Sequence, residues 1–293
     1  MIKLIDDSSI HFSLIDSNIA RYNNKNYYQK VGTIKSDIKF HLKEKLNLKH
    51  EEIYLLNNST HCLLNILYGL SVQSTSLSIQ HVCYESYRFL TNKKYEKAIP
   101  LLTHIDPNSG KVCTLDDTNY VLDAAQSIGT IIHHQQAITS DLLFFPLHKH
   151  LAMQTGIGVL CIKNREKYPE ISKIAKISES GTVNINIYNQ LLSLLESGSY
   201  FFNAALLSLT KRHILEISSL GMKVITPAQS NTPFIVIDAN VDLNEKLQRQ
   251  NNIFSVKSLG SHRYRFSCYI KGHIKSTPFD CTSMLIQYLQ RLL

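Results

Sequence analysis

Nowhere in the 293 residues is there an unbroken apolar run of the roughly 18 residues that a membrane-spanning helix needs. Met1 to Asp16 also lacks the basic segment and apolar core that mark a secretory leader. The chain is therefore expected in the cytoplasm, neither secreted nor membrane-bound. Six cysteines (Cys62, Cys83, Cys113, Cys161, Cys268, Cys281) are scattered without CxxC spacing, which excludes a zinc ribbon or disulfide framework and fits reduced thiols, most of them in the core. The 13 histidines are similarly unhelpful to a metal. Neither His133-His134 nor His148-x-His150 has helical i, i+4 spacing with a third ligand nearby, so no metal site is expected. A net charge of +8 would attract acidic partners, but the basic residues are spread along the chain and no nucleic-acid motif accompanies them. No nucleic-acid role is expected. Internal repeats and low-complexity linkers are missing too, and the Asn-rich patch from Tyr22 to Tyr28 reads as a loop.

What is present suits a large globular core: 44% hydrophobic and 18% charged residues. Thr33 to Leu48 spaces Ile38, Leu42 and Leu46 as an amphipathic helix. Ile53 to Leu56 is a short strand that breaks at Asn57-Asn58-Ser59-Thr60, after which Cys62, Leu63, Ile66, Leu67 and Leu70 recur with helical period. Such a turn presents backbone N–H groups and hydroxyls at the positive end of a helix dipole, a cradle for phosphate or an ordinary N-cap. Further strands are predicted near Ser76 to Val82, Ile99 to Ile105 and Tyr120 to Leu122, the second closed by the turn Asp106 to Gly110. The alternation of strand and helix over residues 33–200 predicts an α/β fold with a mainly parallel sheet. From Ile185 to Leu220 the pattern is helical and predicts one long helix linking two domains. Beyond Gly221, strands at Lys223 to Thr226, Pro233 to Asp238 and Tyr264 to Ser267, with helices near Asn244 and from Thr282 to Leu292, predict a compact α+β unit. The expected division is a large domain over 1–200 and a small C-terminal domain over 201–293.

Two positions carry chemistry. Asp123 follows the buried strand Tyr120-Val121-Leu122, where a parallel sheet collects its functional groups, although a helix N-cap would also use an Asp. Lys149 lies in SDLLFFPLHKHLAMQTGIGVL, set between apolar walls. Burial disfavours its ammonium form and leaves a nucleophilic amine able to condense with an aldehyde. The alternative is a lysine that snorkels to water from the strand end.

Taken together, VLDAAQSIG and SDLLFFPLHKHLAMQTGIGVL resemble the fold-type I enzymes that use pyridoxal 5'-phosphate (PLP), within them the class V aminotransferase and cysteine-desulfurase branch. The resemblance extends from about residue 33 to 275 and includes the 26-residue separation of Asp123 and Lys149. It implies a large PLP-binding domain with a mainly parallel sheet and a small C-terminal α+β domain. Lys149 would form the imine with the cofactor and move the proton at the substrate's Cα, and Asp123 would hold the pyridinium nitrogen protonated. Gln126 would bond the ring hydroxyl and Tyr84 would stack on the ring, unless it is simply a core aromatic. Thr60, His61 and His148 would cradle the phosphate, with Gly181-Thr182 reaching across a homodimer to complete the neighbour's site, unless Thr182 merely caps the next helix. Arg265 in Tyr264-Arg265-Phe266-Ser267 would clamp the substrate carboxylate. Arg263 is its competitor and is expected to face the other way.

The pattern also departs from the family. Pro146 stands where a hydroxyl residue often precedes the lysine, and His61 where the phosphate turn often has a second Thr. An Asn usual before Gly110 has no clear match, with Asp106 or Asn108 as substitutes. No cysteine lies between Cys161 and Cys268, which disfavours desulfuration through a persulfide. The implied function is a PLP-dependent enzyme acting at Cα of an amino-acid-like substrate, with aminotransfer ahead of lyase, epimerase or decarboxylase chemistry. A degenerate, non-catalytic binding protein of the same fold is the rival.

Overall fold

The structure is a computed structural model, and it describes residues 24–79, 83–84, 87, 89–90, 94–115, 119–128, 139–149, 156–181, 183–197, 207–248, 254–268 and 281–292. Strands β1 (Glu52–Leu56), β2 (Thr75–Ile79), β3 (Lys97–Thr103), β4 (Val121–Asp123), β5 (Leu142–Pro146) and β6 (Gly158–Ile162) form one sheet in the order β1-β6-β5-β4-β3-β2. β6 is antiparallel to both its neighbours, while the ladders linking β2, β3, β4 and β5 are parallel. Five strands thus point one way and deliver their C-terminal ends to one edge.

Both faces of this sheet are covered, so its central strands read as unbroken apolar runs. On one face Leu55, Leu122, Leu143, Phe145 and Val159 pack against helices α1 (Asn24–Lys45) and α4 (Ile185–Ser197). On the other, Leu56, Val121, Phe144 and Leu160 meet α2 (Ser59–Val72) and α3 (Pro169–Glu179). Phe144 and Phe145 are both fully buried, one to each face, and burial of each contributes about 2 kcal/mol. The outer rim of β1 is not left bare. The Glu179 carboxylate accepts from the Leu55 N–H at 2.6 Å and pairs with Lys39 at 2.7 Å, which blocks further strand addition.

α1 begins earlier than the sequence predicts and takes in residues 24–28 of the expected Asn-rich loop. Tertiary contacts override the weak helix preference of asparagine there. Tyr27 donates to the Val183 carbonyl at 2.6 Å, and Val31 and Ile34 already lie in the buried face.

The second half of the chain comprises β7 (Leu207–Ser208), α5 (Lys211–Ser219), β8 (Lys223–Val224), β9 (Asn231–Thr232), β10 (Phe234–Asp238), α6 (Asn244–Gln248), β11 (Phe254–Gly260), β12 (Arg263–Cys268) and α7 (Cys281–Leu292). The expected single helix from Ile185 to Leu220 is interrupted. Leu207–Ser208 is a strand paired with β9, and Thr210 starts a new helix through a reciprocal cap in which its hydroxyl accepts from His213 N at 3.2 Å. Helical periodicity continued through the break because Leu207 and Leu209 are buried in both readings.

β11, β12, β10 and β8 form an antiparallel sheet in that order. Its Ile235, Ile237, Tyr264 and Phe266 face a core built with Ile217, Leu285 and Leu289. Phe234 and Val236, of opposite parity, pack instead against Ile105 just beyond β3, which joins this sheet to the larger one. This parity corrects the expected placement of Arg263. Residues two apart in a strand share a face, so Arg263 and Arg265 lie together on the side away from Tyr264 and Phe266. Cys62, Cys83, Cys161 and Cys281 are buried free thiols, and among the described residues no helix is long and apolar enough to cross a membrane.

Candidate active site

Three strand ends and two loops converge at the C-terminal edge of the large sheet. β4 ends in Asp123, which is 3% exposed. Its Oδ1 accepts from the Ala125 N–H at 2.9 Å, and the Tyr87 hydroxyl donates to the same carboxyl group. Burial raises the Asp123 pKa, while the Lys149 charge, the Ala125 amide and the Tyr87 hydroxyl each act to keep it ionised. The buried carboxylate is thus held by two donors, one from its own turn and one from the Tyr87 segment, with the Lys149 charge acting from a third.

β5 continues into Leu147, His148 and Lys149. The Leu147 N–H donates to the Ile157 carbonyl at 2.7 Å, which ties this turn to the chain entering β6. Lys149 is partly buried, and loss of water around its ammonium lowers its pKa to about 8. Asp123 opposes the shift, and the charges of Arg265 and Lys257 add to it. A lysine near 8 is substantially neutral in mildly alkaline solution, as an amine nucleophile must be. Loss of water outweighs the attraction of Asp123, so the neutral amine is the favoured form relative to an ordinary lysine.

The two glycines after this turn are there for close approach. A methyl at Gly156 would lie 2.4 Å from the His148 ring, and one at Gly158 would lie 2.3 Å from the Asn58 carbonyl. Only bare backbone lets the lysine turn, the start of β6 and the N-terminus of α2 occupy this corner together. Asn58 caps α2, its side-chain oxygen accepting from His61 N at 2.8 Å. Thr60 is exposed in the first turn. His61 Nδ1 is buried and has no hydrogen-bond partner among the described residues, a costly arrangement that a ligand acceptor or donor would relieve. The His148 ring reaches solvent on one side, yet burial on the other and the neighbouring Lys149 lower its pKa. The structure therefore brings Thr60, His61 and His148 to one corner.

Gln126 lies partly buried in the turn that follows Asp123. Tyr84 is 39% exposed and meets Tyr87 edge-on, 5.4 Å between ring centroids. Arg265 approaches from the small sheet. Its Nη1 donates to the Pro107 carbonyl at 3.5 Å, and its guanidinium lies 5.1 Å from the centre of the Phe234 ring. Asp106, offered above as a substitute for a missing Asn, spends its carboxylate on its own turn by accepting from Asn108 N at 2.9 Å and the Ser109 hydroxyl at 2.5 Å. Thr182 lies outside the described residues.

Two neighbours of the site escaped the sequence reading. Tyr87 was visible only as the second tyrosine of Tyr84-Glu85-Ser86-Tyr87, and its spacing of three from Tyr84 is the signal that both rings share a side. Its ring also packs against Phe144, 6.2 Å between centroids, in the strand beside Asp123. Lys257 stands opposite Arg265 in the β11–β12 ladder, a relation that requires knowing the register. Among the described residues no group of His, Cys, Asp or Glu gathers to hold a metal ion.

Solved structures with this architecture share the chain's fold over most of its length. A phosphoserine aminotransferase from Cytophaga hutchinsonii matches 96% of this chain and 93% of its own, at 15% identity and a TM-score of 0.61. A mutant of the cystine C-S lyase C-DES, with glycine covalently linked to its PLP cofactor, matches 98% of this chain and 92% of its own at 15% identity and a TM-score of 0.68. An alanine-glyoxylate aminotransferase from Nostoc sp. matches 89% and 86%, at 13% identity and a TM-score of 0.62. No curated protein matches the sequence. The fold is that of the fold-type I PLP-dependent transferases. At the level of sequence, a family profile covers residues 6–293, and the chain belongs to the family described as "Family of unknown function (DUF6024)".

Proposed function

We propose that this protein is a PLP-dependent enzyme acting at Cα of an amino-acid substrate, with transamination as its reaction. The observation that carries this reading is the pairing of a lysine amine lowered to about 8 with a buried carboxylate at the ends of adjacent strands. The residues present fit the cofactor chemically. A reactive amine, a buried acid, an unsatisfied imidazole nitrogen at a helix N-terminus and a flanking aromatic ring match its aldehyde, ring nitrogen, phosphate and ring face. Bound PLP supplies an aldehyde carbon for a lysine amine and a conjugated ring that accepts electron density from a substrate's Cα.

Lys149 would hold the cofactor through its amine and would serve as the base that moves the proton at Cα. Asp123, ionised with help from Tyr87 and Ala125 N–H, keeps a proton on the ring nitrogen. The first turn of α2, with Thr60, His61 and nearby His148, neutralises phosphate through backbone N–H groups and the helix dipole. Gln126 would bond the ring hydroxyl, Tyr84 would cover the ring, and Arg265 would orient the substrate carboxylate. We assign Thr182 to the neighbouring site of a homodimer, a role motivated by the thin phosphate set around Pro146. If that is so, cofactor affinity falls on dilution to monomer.

The test is borohydride reduction of PLP-loaded protein followed by peptide mapping. The phosphopyridoxyl mass is expected on Lys149, and its recovery on any other lysine would refute the assignment. Conversion of bound PLP to pyridoxamine 5'-phosphate by an amino acid supports transamination. Release of ammonia without that conversion would instead mark a lyase.

A further inference from the structure

Lys257 and Arg265 are directly opposite in the antiparallel ladder of β11 and β12, so their side chains leave the same face of the sheet, roughly 5 Å apart at Cα. That face also carries Phe234 and Val236 toward Ile105 of the larger unit. Arg265 is steered by the Pro107 carbonyl and the Phe234 ring. The Lys257 ammonium lies 5.6 Å from the centre of the Tyr84 ring, at the rim of the site. A cation over an aromatic face keeps its N–H groups available for an anion on its open side. Two cations from one sheet therefore flank the entrance to Lys149, and the charge of each depresses the Lys149 amine.

One carboxylate needs only one arginine fork. A second cation beside Arg265 and Lys149 adds like-charge repulsion to the empty site, and an anion brought by the ligand relieves it. Resting on the cofactor-enzyme reading above, we infer that the substrate is an amino acid whose side chain ends in an anionic group, with its α-carboxylate on Arg265 and its second anion on Lys257. Neutral amino acids of the same size would leave Lys257 facing water and gain nothing from it.

The experiment is a calorimetric titration of the protein, with and without saturating PLP, using succinate and butyrate as probes of equal chain length. Succinate is expected to bind about tenfold or more tightly than butyrate, and Lys257→Met is expected to erase the difference while Lys257→Arg restores it. Equal affinities, no binding of succinate, or a preference that survives in Lys257→Met would overturn the inference. On PLP-loaded protein, aspartate should perturb the cofactor absorbance at about one-tenth of the concentration required for asparagine, its neutral isostere. Loading on Lys149 with aspartate and asparagine treated alike would overturn the substrate class but not the cofactor. A protein that never takes up PLP, yet keeps its Lys257-dependent preference for succinate, would overturn the cofactor reading and leave the cation pair standing.

Discussion

The two sheets present their functional groups in different ways. In the six-stranded sheet every residue of β4, β5 and β6 is buried, so chemistry is confined to strand ends, and Asp123 and Lys149 appear directly after apolar runs. In the four-stranded sheet one face is core and the other looks toward the site, so Arg265 sits in mid-strand between the buried Tyr264 and Phe266, with Lys257 opposite it on the exposed neighbouring strand. A chemical group in the first sheet is found by looking where hydrophobicity stops. In the second it is found by parity and register.

The contrast can be broken most forcefully at a strand end. Asp123→Asn should keep PLP bound yet slow turnover by about a thousandfold, since a neutral amide cannot sustain a charged ring nitrogen. Undiminished turnover in steady-state assays would remove Asp123 from the chemistry. Next comes the mid-strand arginine. Arg265→Ala should lower kcat/KM by about a hundredfold, the loss of one charged bidentate contact. Arg263→Ala, on the same face but absent from the charges that act on Lys149, should cost no more than about fivefold. The reverse ranking would show that the clamp lies one pair further along the strand. Tyr87→Phe removes one donor to Asp123 while keeping the ring against Phe144, and a decrease in kcat of about tenfold is expected. An unchanged kcat would reduce Tyr87 to packing.

The mildest test is a titration. In cofactor-free protein, chemical labelling of Lys149 should rise with pH and level off near a midpoint of about 8 rather than at the ordinary lysine value. Lys257→Met should move that midpoint up and Asp123→Asn should move it down, because the first removes a like charge and the second an opposite one. The linkage to stability has a definite sign. Between about 8 and the unfolded value of 10.5 the unfolded chain binds the extra proton, so this residue's contribution is least favourable below 8 and improves as pH rises through the window. A labelling midpoint near the ordinary lysine value would mean that the amine is solvated.

Much of this arrangement was legible in the residues. The strand, polar turn and helix around Asn58, the strand ending at Asp123, and the lysine turn followed by Gly156-x-Gly158 could all be read because parallel strands with both faces covered leave continuous apolar signatures. The missed pieces have physical reasons as well. β11 was not recognised because its Lys257-Ser258 stretch is exposed and its one core anchor at the start is Phe254. The break before α5 hid behind leucines that suit strand and helix alike. Arg263 shares the face of Arg265 because strand parity has a period of two, and the pairing of Val236 with Arg265 and Asp238 with Arg263 makes this plain. Tyr87's bond to Asp123 depends on two segments meeting, which no local pattern encodes.

The place of β1 has a consequence for how the molecule is made. β1 is the first of the six strands to leave the ribosome, yet among the described residues its one partner in the sheet is β6, about a hundred residues later. At roughly 5 to 20 residues per second of synthesis, the interval is on the order of 5 to 20 s, very long beside the microseconds of local helix formation. During it Ile53, Tyr54, Leu55 and Leu56 await the strand that pairs with them. In that interval cover for Ile53, Tyr54, Leu55 and Leu56 comes from α1 and α2, the helices made just before and just after them, so those local contacts guard the strand until β6 is synthesised.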